Sequence, residues 1–189
     1  FFNLNCINQG GTAQRVDPVS EWPMWQLQYR NLGAGGEKLV ANFTVDVGSD
    51  RAGIRWYEIN KTGATTYAIQ NEGTHAPADG RHRWMGSIAM DSAGNMALGY
   101  SASNGTTTFP SSWYTGRLAG DPLGTMPQGE GSIFNGTGSQ TSSGSRWGDY
   151  TSMNVDPVDD CTFWYVNEYY TVEGAALAPL GNGWQTRIA

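Results

Sequence analysis

Between Arg83 and Ser103 the chain reads RWMGSIAMDSAGNMALGYSAS, two alternating apolar and polar runs on either side of Asp91 to Asn95. Alternation at period two puts every second side chain on one face of a strand. Asp, Gly and Asn tolerate the left-handed backbone of a tight turn, so the segment predicts an antiparallel hairpin with its turn at Ser92–Asn95. The pattern returns from Arg146, 63 positions on, as RWGDYTSMNVDPVDDCTFWYVNE, with a two-residue insertion and a turn at Pro157–Asp160. Ser87 then matches Ser152, Met90 matches Val155, and Asp91 matches Asp156. A fainter copy starts at Met24. Third strands follow as RAGIRWYEI from Arg51, SSWYTGRL from Ser111 and GWQTRIA from Gly183, and fourth strands as QNEGT at Gln70 and QGEGS at Gln128. No stretch keeps helical spacing for three turns.

Four short strands recurring at about 60 residues predict an all-β chain of β-propeller blades. A β-sandwich would supply short strands without repeating its aromatic positions. The expectation is about three four-stranded antiparallel blades, roughly 22–75, 82–134 and 145–189, after an N-terminal arm over 1–21. Three blades leave an apolar face bare at each end. The segment is therefore expected to belong to a larger propeller or assembly, with edges near Tyr67 and Trp184 pairing with further blades from the same or another chain.

Composition narrows the partners. The 189 residues carry a net charge of −6 with only 15% charged residues, which excludes the basic surface that nucleic acid requires. Gly at 26 and aromatics at 12% suit many turns and rigid strands, and argue against disorder. No apolar run is long enough to span a membrane. Few lysines and loops rich in Thr, Ser, Asn and Gly point to a secreted or cell-surface protein, in which Asn42, Asn60, Asn104 and Asn135 are sequons. Cys6 and Cys161 either form one disulfide or remain two separate thiols.

The motif S-I-A-M-D-x-x-G-N-M-A-L-G-Y-S followed by W-Y-T-G-R resembles the blade unit of sialidase-like, Asp-box-type β-propellers. R-W-G-D-Y-x-x-M-x-V-D-P-x-D-D-C-T-F-W resembles the C-terminal part of a group of secreted bacterial propeller proteins. The resemblance covers most of 22–189 and implies architecture rather than chemistry. The strict Asp-box, Ser-x-Asp-x-Gly-x-Thr-Trp, is absent.

Among candidate sites, Asp156, Asp159 and Asp160 could offer three oxygens to calcium. The upstream copy forms the same turn with Asp91 alone, so turn capping is the simpler reading and no cofactor is expected. His75 and His82 match no zinc spacing. Arg83-Trp84 and Arg146-Trp147 are candidate ligand-binding pairs, an aromatic face beside a guanidinium. Their recurrence favours packing between blades instead. Asp149 and Tyr150 lie in the insertion, where a blade needs neither. With Arg146 and Glu168 they form the best candidate pocket. As catalytic candidates, Asp149, Tyr150 and Glu168 could act as carboxylates and tyrosine nucleophile in glycoside hydrolysis. A sialidase-like site also needs an arginine cluster, and Lys and Arg together number only 11. The leading expectation is a non-catalytic segment that binds a glycan or protein or builds an extracellular assembly. The alternative is a sialidase-like glycoside hydrolase.

Overall fold

The alternating runs become strands in three antiparallel sheets. The computed structural model describes residues 6–141, 145–172 and 183–189. Strands β1 (Gln28–Asn31), β2 (Glu37–Asp46), β3 (Ala52–Lys61) and β4 (Tyr67–His75) pair in chain order. So do β5 (His82–Met90), β6 (Met96–Ser103), β7 (Ser111–Arg117) and β8 (Glu130–Phe134). The third sheet holds β9 (Ser152–Val155), β10 (Phe163–Tyr169) and β11 (Gln185–Ile188), so among the described residues it has three strands rather than the four expected. The three sheets stay separate and do not close into a ring. Helix is confined to short turns among the described residues, and none is long and apolar enough to cross a membrane.

Both anticipated hairpins form. Met90 pairs with Met96 across one turn, and Val155 with Phe163 across the other. The Asp91 carboxylate accepts the backbone N–H groups of Ala93 and Asn95 at 2.8 Å each. In the third sheet the Asp156 carboxylate accepts Val158 N–H at 2.8 Å, and Asp159 accepts Cys161 and Thr162 N–H at 2.9 Å each. Asp160 turns outward to pair with Arg30 of β1 at 2.6 Å, and its carbonyl accepts Ser92 N–H from the neighbouring turn at 3.0 Å. The aspartates therefore cap turns and join them end to end. Among the described residues no three His, Cys, Asp or Glu side chains converge as a metal site, Asp156, Asp159 and Asp160 included.

Strand β5 is the centre of the fold. All nine of its residues are buried, with β1, β2 and β3 packed on one side and β9 on the other. Val40, Ile54 and Trp56 of the first sheet meet Ile88, Met90, Leu98 and Tyr100 of the second. Gly99 is needed where the third sheet arrives, because a Cβ there would lie 2.4 Å from the Tyr165 ring. On β10 Tyr165 and Asn167 are buried and Phe163 packs beside them, while Trp164 is exposed.

A second cluster sits where the arm enters. Cys6, Ile7 and Val16 are buried with Met24, Trp84, Met85, Trp147 and Tyr170. Ile7 bridges Val16, and Gln9 exchanges hydrogen bonds with the Gln140 backbone at 2.8 and 3.0 Å. Residues 6–21 are thus an integral plug. Trp84 and Trp147 meet edge to face at 6.0 Å, an arrangement that adds about 0.5–1.5 kcal/mol beyond area burial. Both indoles are closed to ligands, which corrects their candidacy as binding residues: the recurring Trp is inter-sheet packing.

Three further expectations change. Cys6 lies in this cluster and Cys161 on an exposed turn, and both are free, so the disulfide is not formed. Burial, reinforced by the Asp50 carboxylate, pushes the Cys6 thiol up to about 12. Asn42 faces inward on β2 and is fully buried, so that sequon cannot accept a glycan in the folded chain. Trp184 packs against the arm cluster and donates its indole N–H to Gln140, whereas Tyr67 is exposed at the edge of the first sheet.

Candidate functional site

The insertion that separates the third copy from the second shapes the surface loop 145–150. Gly148 has φ 54° and Asp149 has φ 92°, and Asp149 N–H closes a tight turn onto Trp147 C=O at 2.6 Å. A left-handed Asp is costly for an L residue, and such strain persists where the surroundings hold it in place. Here the anchor is Trp147, whose buried indole N–H donates to Ser101 Oγ at 3.1 Å. A side chain at Gly148 would be strained at its φ of 54° and would displace the Glu168 carboxylate, whose Oε2 lies 2.8 Å from where a Cβ would stand. The loop is pinned below by tryptophan and projects the flanking Arg146, Asp149 and Tyr150 outward. Arg146 and Asp149 form a bidentate pair, Nε to Oδ1 at 2.7 Å and Nη2 to Oδ2.

The N-terminal arm builds the opposite wall. Asp17 N–H donates to Ser145 C=O at 2.8 Å, which fixes the arm beside the loop, and the Asp17 carboxylate accepts Val19 N–H at 2.8 Å. Asp17, Val19, Glu21 and Trp22 then face Arg146, Asp149 and Tyr150 across an open cleft of about 520 Å³. Trp22 and Tyr150 are 60% and 59% exposed, large apolar faces left to solvent on the two sides. Burial raises the Asp17 carboxyl, with Glu21 and Asp149 adding to the rise and Val19 N–H and Arg146 opposing it.

Glu168 stands behind the loop and does not line the cleft. Its Oε2 is buried without a hydrogen-bond partner under Gly148. Burial, with the Asp149 charge second, pushes this carboxyl up to about 7. The geometry thus brings Arg146, Asp149 and Tyr150 together on an open surface and leaves Glu168 in contact only from below.

Arg83 goes elsewhere. Its guanidinium is fully buried, bidentate to Glu130 at 2.6 and 2.7 Å and to Asp79 at 3.0 and 2.8 Å. Glu130 Oε1 also accepts from His75 Nε2 at 2.9 Å and Tyr100 OH at 2.5 Å. Burial works against the ionised Glu130, but the His75, Arg83 and Tyr100 hydrogen bonds and the Arg83 charge hold it well below the usual carboxylate range. His75 comes from the first sheet, so this network ties two sheets together and is no ligand surface. His82 is likewise structural: its Nδ1 accepts Ala52 N–H at 3.2 Å, and burial, aided by Arg15 and Arg51, lowers it to about 4.

Sequence reasoning missed Asp17, Glu21 and Trp22. The available signal was SEWPMWQL, where two tryptophans flank a proline in a stretch with no alternation. Aromatics without a strand to bury them are candidates for an exposed face. A separate cavity of about 230 Å³ between the second and third sheets is lined by apolar groups such as Ile133, Met153 and Phe163, and presents no chemistry. No family model, curated protein or solved structure matches the chain.

Proposed function

We propose that the chain is a secreted or cell-surface, non-catalytic segment of a β-propeller that binds carbohydrate in the Trp22–Tyr150 cleft. Three antiparallel sheets, the first and the third each packed against the second, support the blade reading. The observation that carries the function is the cleft itself: two exposed aromatic side chains, one from the arm and one from the loop, lining a single opening with polar groups. Flat rings stack on the apolar face of a pyranose while fixed carboxylates and a guanidinium meet its hydroxyls. A glycan-array screen followed by calorimetry tests it. Trp22→Ala and Tyr150→Ala should each weaken binding by about three- to tenfold without altering the melting temperature. Retained affinity in both variants would remove the cleft from consideration.

One observation favours a hydrolase instead. Glu168 is a carboxyl that burial, with the neighbouring Asp149 charge second, raises to about 7, as a general acid in a glycosidase would be. Against it, Glu168 is roofed by Gly148, and Arg146 is the single cation lining the cleft among the described residues. Wild-type protein should therefore show no turnover of aryl-glycosides or sialosides. Turnover abolished by Asp149→Asn or Tyr150→Phe would reverse the ranking.

A further inference from the structure

We infer that the cleft takes its sugar as a cation, a glycan bearing free ammonium groups such as a β-linked glucosamine oligomer, in place of an acidic or fully N-acetylated one. This rests on the carbohydrate reading of the same cleft and adds the charge of the ligand. Three carboxylates line the cleft, Asp17, Glu21 and Asp149, against the one guanidinium of Arg146. That guanidinium is already engaged by both oxygens of Asp149. A ligand carboxylate would have to break a bidentate pair to reach it and would still face Asp17 and Glu21. An incoming ammonium breaks nothing.

The aromatic walls act in the same direction. Trp22 and Tyr150 present exposed rings on the two sides, and ring faces attract a cation held within about 6 Å. An ammonium entering the cleft meets both aromatic side chains and two carboxylates, Asp17 and Glu21, that have no ion-pair partner among the described residues. The sugar ring supplies the apolar surface that a bare cation lacks. Burial is the first cause of the rise of the Asp17 carboxyl, and the Glu21 and Asp149 charges beside it add to that rise. The charge selection runs opposite to that of a site built for sialic acid, which would gather arginines.

The experiment compares four probes by calorimetry on the full chain at low and at physiological ionic strength: a glucosamine oligomer, the matching N-acetylglucosamine oligomer, sialyllactose, and an oligolysine of equal charge. The glucosamine oligomer should bind on the order of tenfold tighter than its N-acetylated counterpart, and salt should weaken only the cationic probes. Asp17→Asn and Glu21→Gln, which keep shape and hydrogen bonding, should remove that preference. Trp22→Ala should weaken both neutral and amino oligomers. Equal binding of the two oligomers, or preference for sialyllactose, overturns the inference while leaving carbohydrate binding in place. Oligolysine binding as well as the glucosamine oligomer overturns the sugar as the recognised body. Binding of none of the four overturns the inference, and the carbohydrate reading then stands or falls on the glycan array.

Discussion

Arg83-Trp84 and Arg146-Trp147 are the same dipeptide at matching points of two sheets, yet only half of it behaves alike. The tryptophans do the same thing: each is buried, and they pack against one another at 6.0 Å. The arginines diverge. Arg83 is wholly buried between Asp79 and Glu130, whereas the Arg146 side chain is 66% exposed at the rim of the cleft. The third sheet has no counterpart of Glu130 on a fourth described strand, and the Gly148-Asp149 insertion supplies a surface carboxylate instead. Packing must recur wherever sheets stack, because each wedge needs filling. A charged side chain follows whatever partner is nearest, so one repeat holds a lock and the other an open site.

The comparison breaks most visibly by removing each guanidinium. Arg83→Met leaves Asp79 and Glu130 without their buried cation and should cost about 3–5 kcal/mol in denaturant unfolding. Arg146→Met, at an exposed pair, should cost less than about 1 kcal/mol. Similar losses would mean that the two arginines are structurally equivalent after all.

Acid sharpens the same contrast. Burial would raise the Asp79 carboxyl, but Arg83, the Arg81 backbone N–H and the two guanidinium charges carry it down to about 2. Glu130 is held low as well. Groups depressed in the folded state contribute stability above their unfolded values and lose it as pH falls through the folded ones. Stability should therefore decline from about pH 4 toward pH 2, by about 1–2 kcal/mol for Asp79. In Arg83→Met that part of the acid loss should shrink to what Arg81 alone supports, while Arg146→Met keeps it; melting temperatures across pH 2–6 decide.

Beneath the exposed site the sign is reversed. Glu168 is raised from 4.5 to about 7, so its ionisation opposes folding. The penalty is absent at low pH, grows between the unfolded and folded values, and is complete above about pH 7. Glu168→Gln should therefore stabilise by about 1–2 kcal/mol at pH 8 and change nothing at pH 4. Destabilisation at pH 8 would show the carboxylate to be paired.

The smallest effect tests the shared half of the dipeptide. A double-mutant cycle of Trp84→Phe and Trp147→Phe should give a coupling of about 0.5–1.5 kcal/mol. Trp22→Phe with Trp84→Phe should be additive, because the exposed indole belongs to the cleft and not to the core. Coupling in the second pair would place Trp22 in the packed cluster.

The two hairpins and their turns were legible in the chain itself. Alternation and turn residues act on immediate neighbours, so local pattern determines strand, turn and face. Recurrence likewise identified the tryptophans as packing residues. The candidate loop at Gly148-Asp149-Tyr150 stood out because one copy has it and the other does not.

What only the tertiary structure decided is which side chains from distant segments meet. Arg83 is buried because Glu130, 47 residues away, reaches it from the far strand of its sheet. Asp17, Glu21 and Trp22 become a site because the arm docks beside Ser145, at the start of the third copy. Asn42 loses its value as a sequon because the second sheet covers β2. Pattern along a chain reports the face a residue occupies. What lies across that face is set by long-range packing, which no local period encodes.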